Sequence, residues 1–209
     1  MNIGIDFDGV ICATQKSVLI TGEKLHGRKR YFKGIEDFHP QNGWVYPDNV
    51  APMFFHNDKD HKHIREAFQN AEPIEHAIYA LQVMEELGWK KHIITARTDE
   101  KNYPGTMEDT LYWLDQYGIH FDTIDFVPKD KRPFIEKYNL DVFIDDKPKN
   151  VVEIGEYAKG LGKENFKNFY FVHPWNDFGR DTKGKGTDAI RMYSWIHFLD
   201  IMHPEHTWK

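Results

Sequence analysis

With 209 residues, 40% of them hydrophobic and 29% charged, the chain can bury one sizeable core but not two domains of ordinary size. A formal net charge of −6 argues against an extended nucleic-acid surface, which carries a basic stripe. No apolar stretch approaches the ~20 residues needed to span a bilayer, no basic leader precedes the first apolar run, and the single Cys12 excludes an internal disulfide, so the expected setting is cytoplasmic.

The chain opens on Ile3-Gly4-Ile5, the apolar run of a short buried strand, which ends in Asp6-Phe7-Asp8-Gly9. Two carboxylates one residue apart repel each other unless a cation or a proton lies between them. The spacing therefore points to a hard, oxygen-ligated metal, with Mg²⁺ the expected ion. Cys12, just beyond, reads as a small buried residue rather than a catalytic thiol. About sixty residues then pass before the next long helical pattern, too many for a plain crossover. They hold a predicted helix over 15–25, an irregular aromatic-rich stretch over 31–55 and a helix near 61–69. Together these read as a small helical cap, residues 14–72, folded over the strand tips. Its Trp44, Tyr46, Phe54 and Phe55 offer either packing or a face on which a flat base stacks. His56, His61, His63 and His76 crowd the same region and His203 and His206 end the chain. His61 and His63 point to different helix faces and no cysteine joins them, so a zinc site is not expected.

After Pro73, the residues Ile74, Ala77, Ile78, Leu81, Met84 and Leu87 recur at helical spacing, and Gly88 supplies the stop. A strand His92-Ile93-Ile94 follows and ends in Thr95, whose hydroxyl and amide suit a phosphate oxygen. Met107, Leu111 and Leu114 mark a helix ahead of Gly118, and a strand over 124–127 comes next. Lys129-Asp130-Lys131-Arg132-Pro133 leads into a short helix over 133–138. Val142-Phe143-Ile144 is another strand, ending in Asp145-Asp146. A helix over 151–161, a strand over 169–172 and a closing helix over 190–202 complete the alternation, with Lys183-Gly184-Lys185-Gly186 read as a surface loop or, more sharply, a phosphate lid. The β-α order predicts an α/β fold, a Rossmann-like parallel sheet flanked by helices, in which 1–13 and 73–209 form the core.

Carboxylates, a hydroxyl, an ammonium and carboxylates thus fall at strand ends or helix starts, in that order. This order resembles the haloacid dehalogenase superfamily of phosphotransferases: Asp6 and Asp8 match its first motif, Thr95 the second, Lys131 or Lys129 the third, and Asp145 with Asp146 the fourth. Asp-Phe-Asp-Gly-Val, Ile-Asp-Asp-Lys, the early cap, Pro174-Trp175-Asn176 and Trp195 are most similar to the 5′(3′)-deoxyribonucleotidases and their bacterial and phage relatives. Thr95-Ala96-Arg97 departs from them, since the animal enzymes have Thr-Ser-Pro there.

The resemblance implies a Mg²⁺-dependent phosphomonoester hydrolase that acts through an aspartyl-phosphate, a 5′-nucleotidase on (deoxy)nucleoside monophosphates. Asp6 would be the nucleophile. Asp8 would be the acid and base, with its pKa raised by its surroundings. Mg²⁺ would be held by Asp6, the backbone carbonyl of Asp8 and Asp146, with Asp145 as an outer ligand or water anchor. Thr95 and Lys131 would hold phosphate, the lysine favoured over Lys129 by its place just before the helix start. Trp44, Phe54, Phe55 and Arg97 are candidate substrate contacts; for Arg97 and Lys147 the alternative is a solvated charge. A nucleic-acid end-processing phosphatase and a non-catalytic phosphate-binding protein are the competing functions, and no membrane partner is expected.

Overall fold

The computed structural model describes residues 1–26, 62–98, 104–127, 130–173, 176 and 189–205. Six strands form one sheet: β1 (Asn2–Ile5), β2 (Lys90–Thr95), β3 (Thr123–Phe126), β4 (Val142–Asp145), β5 (Lys167–Phe171) and β6 (Ile190–Met192). All neighbours run parallel, in the order β3-β2-β1-β4-β5-β6. From β1 the chain winds outward through β2 to β3, then returns beside β1 as β4 and winds the other way. In open parallel sheets the crevice above such a reversal is where ligands bind.

The helices among the described residues are α1 (Thr14–His26), α2 (Lys62–Gln69), α3 (Ala77–Glu86), α4 (Thr106–Gln116), α5 (Pro133–Lys137), α6 (Pro148–Gly160) and α7 (Trp195–Met202). Side chains alternate across a strand, and the sheet here has a core on each face. Ile3, Ile5, Ile93, Val142, Ile144, Phe169 and Phe171 point to one face, where Ala80 and Met84 of α3, Trp113 of α4 and Trp195 and Phe198 of α7 cover them. Ile94 and Phe143 point to the other, against Ile135 of α5 and Ile154 and Ala158 of α6. Gly4 faces this second core, and a Cβ there would come within 2.6 Å of the Phe143 ring, so the missing side chain is what lets Phe143 lie flat on β1. Truncating the fully buried Trp195 to Ala is expected to cost about 3–5 kcal/mol.

Three boundaries differ from the sequence pattern by three residues or more. Helix α3 begins at Ala77 rather than Ile74, because the Ile74 amide donates to the Ile11 carbonyl at 2.8 Å and His76 takes a left-handed φ of 62°. Helix α6 begins at Pro148, whose fixed φ suits a first turn. The expected closing helix over 190–202 is instead two elements. Ile190–Met192 pairs with Phe169–Phe171 as an edge strand, and the Ser194 side chain then accepts from the His197 amide at 3.1 Å, capping α7.

Candidate active site

Pairing between β1 and β4 continues one residue past β1: the Asp6 amide donates to the Ile144 carbonyl at 2.9 Å and brings Asp6 level with the end of β4. Phe7 then turns into the core, edge-on to Trp113 with ring centroids 5.0 Å apart. The chain reverses through Gly9, at φ 74°, so that the Ile11 and Cys12 amides both donate to the Phe7 carbonyl at 3.0 Å. Only glycine fits the reversal, since a Cβ would lie 2.7 Å from Gln15 Nε2 and closer still to the Asp146 carboxylate. Distant parts of the chain take up two further loop carbonyls. His173 Nε2 donates to Gly9 O at 2.6 Å, and Trp195 Nε1 donates to Val10 O at 2.9 Å.

Four charged groups meet above β1 and β4. Lys131, buried just ahead of α5, places Nζ 2.8 Å from Asp6 Oδ1 and 2.8 Å from Asp145 Oδ2. Asp145 also accepts from the Lys147 amide at 2.8 Å and from Asn150 Nδ2 at 2.9 Å. Asp146 receives Gln15 Nε2 at 3.2 Å on Oδ2, while its Oδ1 is buried with no hydrogen-bond partner. Burial pushes the Asp6 carboxyl up to about 7, against the pull of Lys131 and with the help of Asp145. Burial, then the charges of Asp145 and Asp6, raise Asp146 well above the usual carboxylate range. Carboxylates held this unfavourably are short of positive charge. One oxygen from each of Asp6, Asp145 and Asp146 lies within 4.8 Å of the others, and among the described residues this is the one such group of His, Cys, Asp or Glu side chains. The orphaned Asp146 oxygen and the all-oxygen donor set suit a hard divalent cation.

Asp8 stands apart from this cluster. Its carboxylate takes Arg97 Nε at 3.1 and 3.0 Å on its two oxygens and Arg97 Nη2 at 2.8 Å, and it also accepts from the Thr14 hydroxyl. Burial alone would raise Asp8, but the charge and hydrogen bonds of Arg97 outweigh it and hold the group below its ordinary value. This reverses the raised pKa expected of it. Arg97 is not the solvated charge of its alternative reading: it is 5% exposed and its guanidinium bonds Asp8. Thr95 is fully buried at the end of β2, the strand beside β1, and its hydroxyl accepts from the Arg97 amide at 3.2 Å. Burial pushes the Cys12 thiol up to about 12, out of nucleophile range.

The structure therefore brings Asp6, Asp145, Asp146 and Lys131 together and sets Asp8 on Arg97. Trp44, Phe54, Phe55 and Lys129 lie outside the described residues, as do His56, His61, His206, Pro174, Trp175 and the 183–186 tract. Sequence reasoning gave no role to Gln15, Asn150, His173 or Asn176. Asn176 is fully buried and donates to Asp146 O at 2.8 Å and Phe171 O at 2.9 Å while accepting from the His173 amide at 2.6 Å. Its place in the Pro174-Trp175-Asn176 tract was the available signal. A cleft lined by Leu81, Glu85, Lys91 and Ile119 opens at the start of β2, the opposite end of the sheet from these carboxylates.

A family profile described as 5′ nucleotidase, deoxy (pyrimidine), cytosolic type C protein (NT5C) matches residues 1–180. A search of curated protein sequences returns no match. Among solved structures, a HAD family hydrolase from Deinococcus radiodurans R1, with bound phosphate and sodium, superposes with a TM-score of 0.65 at 13% identity, covering 97% of this chain and 95% of that one. A conserved haloacid dehalogenase-like protein from Agrobacterium tumefaciens gives 0.63 at 12% identity and covers 98% of each. At these identities the superpositions establish the fold, and the profile establishes the family. No helix among the described residues is long and apolar enough to cross a membrane. The chain belongs to the cytosolic type C 5′-nucleotidase family and is a phosphatase of the nucleotidase kind on a haloacid dehalogenase fold.

Proposed function

We propose that the protein hydrolyses nucleoside monophosphates in the cytoplasm through an aspartyl-phosphate on Asp6, with Mg²⁺ as its metal. The observation that carries this reading is the partition of four carboxylates. Three converge with Lys131 at the sheet's reversal point, and the fourth, two residues from the first, is held separately by Arg97. One group for attack and another for proton transfer is what a two-step phosphomonoesterase requires.

In the first step an Asp6 oxygen attacks phosphorus, the ester P–O bond breaks, and the departing oxygen takes a proton from Asp8. In the second, water attacks phosphorus, gives a proton to Asp8, and the acyl-phosphate P–O bond breaks to release inorganic phosphate and restore Asp6. Arg97 holds the Asp8 pKa down, so Asp8 takes its proton from solvent as the substrate dianion binds, whose charge opposes that of the guanidinium and favours the uptake. Lys131 and Thr95 hold equatorial phosphate oxygens, the lysine exchanging part of its contact with Asp145. Asp6, Asp146 and the Asp8 carbonyl would hold the Mg²⁺, with Asp145 outside them. When bound, the ion supplies the positive charge that lets two anions meet.

Residues 14–72 would form a cap over residues 1–13 and 73–209, with Trp44, Phe54 and Phe55 as the base-stacking face. The test is phosphate release, with Mg²⁺, from a panel of nucleoside monophosphates, sugar phosphates and a 3′-phosphorylated oligonucleotide. Nucleoside monophosphates are expected to lead sugar phosphates by at least about tenfold in kcat/KM. Preference for the oligonucleotide would replace the substrate with a nucleic-acid end, and no turnover at all would leave a binding protein. Asp6→Asn is expected to fold and to retain under about a hundredth of the activity.

A further inference from the structure

Arg97 follows the end of β2 by two residues, and all three of its guanidinium nitrogens are engaged. Nε and Nη2 grip Asp8, Nη2 also meets the Thr14 hydroxyl at 3.0 Å, and Nη1 meets the Thr110 hydroxyl at 3.1 Å. Two aromatic rings also lie against it: Cζ is 4.5 Å from the centroid of the Phe7 ring and 4.5 Å from that of Phe68. Phe7 belongs to the loop after β1 and Phe68 to α2. Helix α2 is itself fastened to α4, since Arg65 donates to Asp109 at 2.9 and 2.7 Å and Gln69 donates to the same buried carboxylate at 2.7 Å. Three elements that are far apart in the chain thus close on one planar side chain.

A planar cation with two rings against it and every nitrogen bonded is held in one orientation, and it passes that orientation to the carboxylate it grips with two nitrogens. Lysine would supply the charge without the fork or the faces. We propose that Arg97 is a positioning residue: it sets the direction of the Asp8 carboxylate toward the departing oxygen and makes no contact with the substrate, and Phe68 of α2 is the wall that keeps it flat. The inference rests on the two-step reading above and adds to it the part that α2 plays.

A correctly aimed acid matters only when the departing oxygen needs its proton. A nucleoside alkoxide needs it, whereas p-nitrophenolate leaves without it. Single-turnover release of nucleoside and of p-nitrophenol by the full chain with Mg²⁺ separates the two cases. Arg97→Lys is expected to slow nucleoside release about 100-fold and p-nitrophenol release less than about threefold, with half-saturation moving less than about threefold for either substrate. Phe68→Leu, which removes no charge, is expected to show the same split at about tenfold, and it decides the matter if circular dichroism shows Arg97→Lys unfolded. Equal losses on both substrates, half-saturation rising at constant rate, or wild-type rates in both variants overturn the inference alone. A wild type that releases neither product, or an Asp6→Asn variant that releases both, overturns the two-step reading and this inference with it.

Discussion

His173 gives the structure a pH dependence that is separate from the carboxylate cluster. Its ring stacks on Phe171, with centroids 4.6 Å apart and planes 9° from parallel, and Nε2 donates to the Gly9 carbonyl. A carbonyl can only accept, so Nε2 carries a proton. Burial, partly opposed by that hydrogen bond, pulls the group down from its ordinary 6.5 to about 4. The folded protein therefore takes up this proton less readily than the unfolded chain, and acid favours unfolding. The contribution is complete above pH 6.5 and is lost as the pH falls from there toward 4, by about 3 kcal/mol over the whole interval and about 2 kcal/mol by pH 5. The assay is urea unfolding between pH 7.5 and 4.5, in chelator, of the wild type and of His173→Gln, which keeps a donor but does not titrate. Carboxylates common to both chains cancel in the difference. The wild type's unfolding free energy, relative to the variant, is expected to drop by about 2 kcal/mol between pH 7.5 and 5. A difference that stays within about 0.5 kcal/mol over that range would refute the neutral, buried histidine.

Activity is expected to vanish in excess chelator and return with Mg²⁺, and Asp146→Ala to raise the Mg²⁺ needed for half-maximal activity at least about tenfold; full turnover in chelator would remove the metal from the reaction. Lys131→Met should leave under about a hundredth of kcat/KM, because it removes a phosphate contact and sets Asp6 and Asp145 against each other; activity within about tenfold of wild type would exclude Lys131 from phosphate binding. Asp109→Ala should lower the unfolding free energy by about 2 kcal/mol, a figure already reduced because Arg65 is partly solvated, and a urea midpoint unchanged from wild type would show that the α2–α4 clasp is not holding.

The features legible in the sequence were those whose signal is local. Short apolar runs that stop at a polar residue, such as Ile3-Gly4-Ile5 before Asp6 and Val142-Phe143-Ile144 before Asp145, announce buried strands and their tips together, and the order of those tips is what carried the family and the parallel sheet. Ile190–Met192 failed on the same logic: three residues before a helix carry no period of their own, and only pairing with Phe169–Phe171 makes them a strand. Arg97 looks like a solvated charge until Phe7, Phe68 and Asp8 are seen around it, and nothing within ten residues of it in the chain says so. His173 was invisible for a plainer reason. The bond from His173 to Gly9 spans 164 residues of sequence, and tertiary closure of that length leaves no mark on either neighbourhood.

The hydrogen bond from Trp195 to the Val10 carbonyl has a consequence in time as well as in space. The loop that bears Asp6 and Asp8 is synthesised well before α7, since 185 residues separate Val10 from the indole that completes its surroundings. At ~5–20 residues per second, that is a delay of roughly ten to forty seconds on the ribosome. Until α7 docks, the turn after Gly9 lacks its tryptophan. A nascent chain thus carries every acidic group of the site before α7 supplies the indole that completes the enclosure of their loop.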